Sequence, residues 1–276
     1  MRKLSGRSAR LRAGRFVVEG PQGVREALAA HAASVGSGTP LVHDLFATSD
    51  AARRHPELIA AADGSGVRVR ETGDEVLAAM SDTVTPQGLL AVCSLVDVPL
   101  DTVLARRPLL VAVLASVRDP GNAGTVLRAA DAAGADAVVL TEASVDVHNP
   151  KCVRSTAGSL FHLPVVVGAP LGDAVAALRS AGLTVLAADG EGDADLDELL
   201  DAAGRDDGDG GGLAGPVAWV FGNEAWGLPA EHLALADAVV RVPVHGRAES
   251  LNLATAATVC LYASARAQRR GHGCRV

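Results

Sequence analysis

The chain carries, at residues 217–229, the sequence VAWVFGNEAWGLP. Its first five residues form a continuous apolar run, which is typical of a strand buried on both faces. Gly222 and Gly227 follow this run, and glycine lets the backbone come close to a ligand because it has no Cβ. Pro229 then permits a helix to begin. The stretch therefore predicts a buried strand whose exit loop forms the floor of a site.

A second strand and a capped helix follow this stretch. Residues 239–244, with the sequence VVRVPV, predict a short strand. A helix is predicted to open at Glu249 and to run to about Arg269, and either Ser250 or Asn252 can cap its exposed amides. Taken singly, these pieces also fit an ordinary strand-to-helix turn and an ordinary helix cap.

A similar arrangement lies upstream. The apolar run 109–114 predicts another fully buried strand, and Pro120 with Gly121 predicts a turn after it. A helix is predicted over 123–133, with Asn122 at its N-cap. The further apolar runs of this region alternate with helical stretches, which predicts a parallel sheet with ligands beyond the carboxyl ends of its strands.

Three pieces in this region resemble, in their order and spacing, the motifs of the SpoU/TrmH family of RNA ribose 2′-O-methyltransferases. They are NAGTVLR at 122–128, FGNE at 221–224 and SLNLA at 250–254, with VPV at 242–244 between the last two. The stretch 149–159 also looks like the family's. The family belongs to the SPOUT superfamily, so the resemblance implies an α/β fold with a parallel sheet and a C-terminal segment threaded into a deep trefoil knot.

The resemblance also implies a domain organisation. The first part of the chain alternates short strands and helices and, in its opening RFVVEG at 15–20, resembles the small α/β substrate-binding domain that many family members carry. The expected domains are a substrate-binding domain at 1–97, a linker at 98–108, a methyltransferase domain at 109–270 with an acidic, glycine-rich insert at 190–215, and a tail at 271–276. The insert looks like a disordered loop.

In such enzymes S-adenosylmethionine is the methyl donor. Carried over to this sequence, the family's donor-binding residues are Gly222, Asn223, Val242, Ser250 and Leu251. The catalytic assignment falls on Arg128 at the hydroxyl, with a surrounding polar network formed by Asn122, Glu224, Ser250 and Asn252. No metal is expected, because methyl transfer from a sulfonium needs only in-line placement of nucleophile and donor.

Arg128 has two alternative roles within this assignment and a third outside it. A guanidinium group stays protonated at ordinary pH, which favours orienting the hydroxyl and stabilising negative charge over acting as a literal base. Outside the active site, Arg128 also fits a surface ion pair with Asp131, three residues on. The sequence leaves these alternatives open.

The distribution of charge favours an RNA partner despite a formal net charge of −7. Residues 191–209 hold nine acidic side chains against one arginine, so most of the negative charge lies in the insert. The N-terminus is basic, which is typical of a surface that binds a polyanion. The candidate RNA-binding residues there are Arg2, Lys3, Arg7, Arg10, Arg12 and Arg15.

Composition narrows the remaining possibilities. Only 3% of residues are aromatic, which leaves few candidates for stacking on bases. No apolar stretch reaches the ~20 residues of a membrane span, so a cytoplasmic protein is expected. The resemblance, with its N-terminal domain, implies a methyltransferase that acts on 23S ribosomal RNA. The alternatives are a transfer-RNA methyltransferase and a non-catalytic RNA-binding protein of the same fold. A homodimer through the knot region is expected from the resemblance.

Overall fold

A computed structural model of the chain describes residues 4, 6–34, 40–204 and 212–271. The chain divides into two compact units. Unit 1 consists of Met1–Val96 together with Asp146–His162, and unit 2 consists of Asp97–Val145 together with Leu163–Val276. None of the helices described is long and apolar enough to cross a membrane.

The secondary structure elements are numbered in chain order. The strands are β1 (Arg15–Glu19), β2 (Val42–Ala47), β3 (Arg68–Glu71), β4 (Leu89–Ser94), β5 (Leu110–Leu114), β6 (Ala137–Thr141), β7 (Val165–Ala169), β8 (Thr184–Ala188), β9 (Ala194–Asp195), β10 (Val217–Phe221) and β11 (Ala238–Arg241). The α-helices are α1 (Arg7–Ala13), α2 (Pro21–Ala33), α3 (Ser49–Arg54), α4 (Pro56–Gly64), α5 (Asp74–Met80), α6 (Leu100–Leu104), α7 (Pro120–Ala133), α8 (Pro150–Thr156), α9 (Leu171–Ser180), α10 (Leu196–Ala202), α11 (Ala230–Leu233) and α12 (Leu253–Gly271).

Unit 1 contains a four-stranded sheet in the order β1-β4-β2-β3. Strands β2 and β3 pair in parallel, whereas β4 is antiparallel to both β1 and β2. Helices α3 and α4 are separate and meet at His55 and Pro56. The break follows from Pro56, because proline disfavours the helical conformation in the residue before it, and His55 has φ −131° and ψ 55°.

The segment Asp146–His162 packs within unit 1, although the sequence placed it in the methyltransferase domain. The ring of Phe16 on β1 lies 4.7 Å from the ring of His148 and 6.2 Å from that of Phe161, between centroids. Cys152 on α8 is fully buried. This insertion completes the core of unit 1 with apolar and aromatic side chains from distant sequence.

Unit 2 contains a seven-stranded sheet in the order β7-β6-β5-β10-β8-β11-β9, in which every neighbouring pair is parallel. The predicted parallel sheet is therefore confirmed. Strand β10 lies between β5 and β8 and is buried along its whole length. The carboxyl ends of parallel strands lie at one edge of a sheet, so the loops after β5, β8, β10 and β11 meet there.

The helices that bring polar side chains to this edge begin at different residues from those predicted. Helix α7 starts at Pro120, and its N-cap is Asp119, whose carboxylate accepts from the backbone N–H of Asn122. The predicted N-cap role of Asn122 is therefore wrong, and its side chain is free for other contacts. Helix α12 starts at Leu253, four residues after the predicted Glu249.

The predicted linker and the predicted insert both contain secondary structure in unit 2. The predicted linker 98–108 carries α6, whose Val103 is buried. The predicted disordered insert contains β9, paired with β11, and α10. Its Leu196 and Leu213 are 2% and 0% exposed, so the prediction of a disordered loop is wrong for 190–204 and 212–215. Residues 205–211 of the insert lie outside the described part of the chain.

Candidate active site

The loop after β10 closes on itself. Asn223 and Gly227 exchange two backbone hydrogen bonds, each of 2.9 Å. A Cβ on Gly222 would lie 2.4 Å from the carbonyl carbon of Gly227, which is backbone and cannot move aside as a flexible side chain does. Glycine is therefore required at position 222, and the loop from Gly222 to Gly227 forms a compact rim at the carboxyl end of β10.

Asn223 fixes this loop to its neighbour. Its Nδ2 donates to the carbonyl of Ser116, which follows β5, at 2.7 Å, and its Oδ1 accepts from the backbone N–H of Ala225 at 2.9 Å. The residue is 6% exposed. The carboxamide is thus occupied by the protein itself, so Asn223 shapes the site and does not present a free amide to a ligand.

Glu224 connects the loop after β10 to the residues around the start of helix α7. Its carboxylate accepts from the backbone N–H groups of Arg118 and Asp119, at 3.2 and 3.0 Å, and from Nδ2 of Asn122 at 3.3 Å. Asn122 in turn accepts at Oδ1 from Nδ2 of Asn252, at 3.1 Å. Three of the polar residues expected in the catalytic network therefore form a hydrogen-bonded chain, with Asn122 between Glu224 and Asn252.

A cavity of about 620 Å³ opens beside this network at the carboxyl edge of the sheet. Its lining includes all five expected donor-binding residues, Gly222, Asn223, Val242, Ser250 and Leu251, and also Glu224. The predicted strand 239–244 ends at Arg241, which leaves Val242, Pro243 and Val244 as cavity wall. This volume lies within the ~300–1,000 Å³ range of small-molecule sites.

The cavity also contains residues that sequence reasoning missed. Asp189 and Gly190 follow β8 and line the cavity, as does Glu249. The strand order provides the missing signal, because β8 is the direct neighbour of β10 and its exit loop must lie beside Gly222. Three carboxylates, of Asp189, Glu224 and Glu249, therefore border this cavity.

Arg128 lies exposed on α7, and it is absent from the residues that line the cavity. Within the described part of the chain it forms no hydrogen bond and no ion pair, so the surface pair with Asp131 is not formed. The guanidinium group is available to a ligand, although the structure assigns it no contact.

The basic residues of the N-terminus differ in their exposure. Arg7, Arg12 and Arg15 are exposed, and Arg2 and Lys3 lie outside the described residues. Arg10 is 2% exposed and donates to Asp146 at 2.6 and 2.9 Å and to the carbonyl of Leu4. The expectation that Arg10 binds RNA is therefore corrected, because its guanidinium is used inside unit 1.

Asp146 is the partner that holds Arg10. Burial raises the pKa of this carboxyl, but hydrogen bonds from His148 and Arg10 outweigh burial and hold its pKa well below the ordinary value. The backbone N–H of His148 donates to Asp146 at 3.0 Å, and Nε2 of the same histidine accepts from the N–H of Val96. The ion pair therefore ties the inserted segment to helix α1.

Unit 1 has a cavity of its own, of about 310 Å³, lined in part by Glu19, Ser81 and Arg154. The Glu19 carboxylate accepts from Ser81, from the backbone N–H of Asp82 and from Arg154. The Glu19 carboxylate and the Arg154 guanidinium in this cavity are thus paired with each other. Across the described residues of both units, no cluster of three or more His, Cys, Asp or Glu side chains could hold a metal ion.

Comparison with known proteins extends these observations. Residues 109–262 match the SpoU rRNA Methylase family, and residues 1–91 match the MRM3-like substrate binding domain. The chain is 33% identical over 261 residues to the 23S rRNA (guanosine(2553)-2'-O)-methyltransferase RlmP of Bacillus subtilis, which covers 95% of this chain and 92% of that protein.

Solved structures agree with this match. The SpoU methyltransferase AviRb from Streptomyces viridochromogenes, in complex with AdoMet, superimposes with a TM-score of 0.75 at 32% identity, over 99% of this chain and 97% of that one. An AdoMet-bound rRNA methyltransferase from Sinorhizobium meliloti gives a TM-score of 0.78 at 29% identity, over 99% and 94%. The chain therefore belongs to the SpoU rRNA methylase family.

Proposed function

We propose that this protein transfers a methyl group from S-adenosylmethionine to a ribose 2′-hydroxyl of 23S ribosomal RNA. The observation that carries the proposal is the hydrogen-bonded network of Glu224, Asn122 and Asn252 at the edge of the 620 Å³ cavity. This network joins the three family motifs in one place. RlmP is a 23S rRNA 2′-O-methyltransferase, which supports the choice of substrate.

The cavity residues fit the donor. Gly222 presents backbone without a side chain, and Val242 and Leu251 provide apolar surface suited to an adenine ring. The carboxylates of Asp189, Glu224 and Glu249 suit a ligand that carries a positive sulfonium and an ammonium group. When bound, S-adenosylmethionine supplies an electrophilic methyl group for the ribose 2′-oxygen.

The polar network acts by positioning. Glu224 accepts hydrogen bonds from two backbone amides and from Asn122, so it holds the loop after β5 against the loop after β10. Such fixed placement of nucleophile and donor contributes strongly to a transfer between two bound molecules. Ser250 lines the same cavity and places its hydroxyl two residues before Asn252 in the sequence.

Arg128 is assigned to the ribose hydroxyl. Its guanidinium is exposed, without a partner among the described residues, and its positive charge stabilises the negative charge that develops on the 2′-oxygen. The proton of the hydroxyl leaves to water or to a neighbouring acceptor. Exposed Arg7, Arg12 and Arg15 of unit 1 contribute RNA affinity through phosphate contacts.

Two measurements test the function. Isothermal calorimetry with S-adenosylmethionine should show binding to the purified protein, and no binding would favour a non-catalytic RNA-binding protein. Methylation with radiolabelled donor should then label 23S rRNA transcripts at a 2′-oxygen, detected as a nucleotide linkage that resists alkali. Label in transfer RNA alone would shift the substrate to the alternative class.

We also infer a homodimer, a C-terminal trefoil knot and a cytoplasmic location from the family. For the dimer, Val259 and Tyr262 on α12 are 40% and 49% exposed, which leaves apolar surface for a second copy. On the same helix, Ala254, Ala257, Ala263 and Ala265 are buried within unit 2 and do not add to this exposed surface. Light scattering at micromolar concentration should give twice the monomer mass, and Val259→Glu should reduce it.

A further inference from the structure

Trp226 stands out among the aromatic side chains of this protein. It is 52% exposed, whereas Trp219, on the strand that leads into the same loop, is fully buried and donates its indole N–H to Ser264. The indole N–H of Trp226 has no hydrogen-bond partner within the described residues. A large exposed aromatic ring offers its face to a planar ligand.

The guanidinium of Arg118 lies over this ring. Its Cζ is 5.1 Å from the ring centroid, within the range of a cation–π contact. Arg118 is itself exposed and follows β5, while Trp226 follows β10. A planar aromatic group and a planar cation are therefore presented together from two neighbouring loops.

The two loops are fixed to each other. The backbone N–H of Arg118 donates to Glu224, and Nδ2 of Asn223 donates to the carbonyl of Ser116. The paired hydrogen bonds between Asn223 and Gly227 hold the loop that carries Trp226 closed. The pair is thus preorganised, which lowers the entropy lost when a ligand stacks on it.

The pair also lies beside the reaction site. Ala225 and Gly227, on either side of Trp226, line the donor cavity, and Glu224 belongs to the network that joins Asn122 and Asn252. A ribose placed at that network has its own base and the neighbouring bases within reach of the adjoining loop. Unpaired RNA bases are recognised by stacking on aromatic side chains and on arginine planes.

We propose that Trp226 and Arg118 form a stacking platform for an unpaired base of the RNA substrate, next to the nucleotide that is methylated. The inference rests on the proposed function, since it takes RNA as the substrate of the same site. Stacking on this pair holds the target strand, in a protein where only 3% of residues are aromatic.

Tryptophan fluorescence tests the platform directly. Because Trp219 is buried, titration with a 23S rRNA transcript should quench the emission of Trp226 and leave a residual signal from Trp219. Trp226→Phe should abolish the quenching while RNA binding by filter retention persists. RNA that binds the wild-type protein without any quenching would overturn the proposal.

Kinetics separate a role in RNA binding from a role in loop structure. Trp226→Leu should raise the KM for the transcript about 10-fold, the scale for losing one stacked base, while Trp226→Phe should restore most of it. Arg118→Lys keeps the charge and loses the plane, so it should raise KM less than Arg118→Ala. The affinity for S-adenosylmethionine should stay unchanged in all of them. An unchanged KM for the transcript in Trp226→Leu would refute stacking of RNA on this side chain.

The same measurements separate a stacking platform from a contact between two copies of the protein and from the enzyme activity itself. If dilution of the RNA-free protein changes the emission of Trp226 and added RNA does not, a second copy covers the ring and the platform is refuted. Quenching by RNA without any methyl transfer would keep the platform and refute the proposed enzyme activity. Methyl transfer without quenching would keep the proposed enzyme activity and refute the platform.

Discussion

The carboxamides of Asn122 and Asn252, 130 residues apart in the chain, are joined by a hydrogen bond of 3.1 Å. Asn252 uses its other side-chain atom, Oδ1, to accept from the backbone N–H of Ala254, which caps helix α12. Asn122 also donates to Glu224. One asparagine therefore both starts the last helix and anchors it to the network at the carboxyl edge of the sheet.

Substitutions at Asn252 should separate these two tasks. Asn252→Asp keeps the capping acceptor and loses the donor to Asn122, so thermal stability should stay near wild type while the methylation rate falls. Asn252→Ala loses both, and should also cost about 1 kcal/mol of unfolding free energy for the missing cap. Equal rates for wild type and Asn252→Asp in single-turnover methylation would show that the link to Asn122 is dispensable.

Gly222→Ala should damage the donor cavity, because the added Cβ meets the backbone of Gly227 and the closed loop has to open. We expect at least a 10-fold loss of S-adenosylmethionine affinity by calorimetry and a lower melting temperature. Gly246→Ala is the matched control, since nothing lies within 4 Å of a Cβ at that position. A Gly222→Ala variant that binds the donor like the control would contradict the close approach of these two glycines.

The sequence predicted those elements whose bounds depend only on neighbouring residues. The strand Val217–Phe221 has the predicted bounds, because an unbroken apolar run is a local feature. The family resemblance identified the motif residues around the cavity. It could do so because the motifs keep their spacing in the sequence and therefore their positions at the ends of strands.

Long-range packing was beyond the sequence. Nothing local to Asp146 indicates that it pairs with Arg10, 136 residues away, or that its segment belongs with unit 1. The acidic composition of the insert likewise concealed β9 and α10, because tertiary contacts at Leu196 and Leu213 override a polar, glycine-rich sequence. Asp189 was missed because the order β10-β8 is a property of the sheet.

The insert should therefore matter for stability. Leu213 is fully buried, in a short 3₁₀ helix that packs against α12, so Leu213→Ala should destabilise the protein by about 2–5 kcal/mol. Leu11→Ala, at a side chain that is 60% exposed, is the control and should change the unfolding free energy little. Urea denaturation measures both. Equal urea midpoints for the two variants would indicate that the insert is a loop that does not contribute to stability.

Arg10 and Arg12, two residues apart on α1, should have opposite phenotypes. Arg10→Leu leaves Asp146 buried without its partner, and we expect a loss of about 3 kcal/mol or more in unfolding free energy. Arg12→Leu removes an exposed charge, so stability should persist while RNA affinity falls and its salt dependence weakens. Denaturation and filter binding at two salt concentrations check the pair.

The same ion pair predicts a dependence on pH. The folded state lowers the pKa of Asp146, so its contribution to stability is complete above the unfolded value of about 3.9 and is lost as pH falls through the folded value. Asp146→Asn should therefore be much less stable than wild type at pH 7, and the difference should shrink below about pH 4. A difference that stays constant between pH 7 and pH 3 would mean that the carboxylate charge does not stabilise this unit.

Arg128 provides the test of the chemistry. If its guanidinium acts on the ribose hydroxyl, Arg128→Ala should lower the single-turnover methylation rate by ~100-fold or more, the scale for losing one well-placed catalytic group. Donor affinity should barely change, since Arg128 is not among the residues that line the cavity. Arg128→Lys should rescue little, because it keeps the charge and loses the planar fork that orients the hydroxyl. Arg53→Ala, which removes an exposed arginine from unit 1, controls for the loss of one positive charge. Rates like wild type in Arg128→Ala, at saturating donor and RNA, would remove this residue from the mechanism and return it to the protein surface.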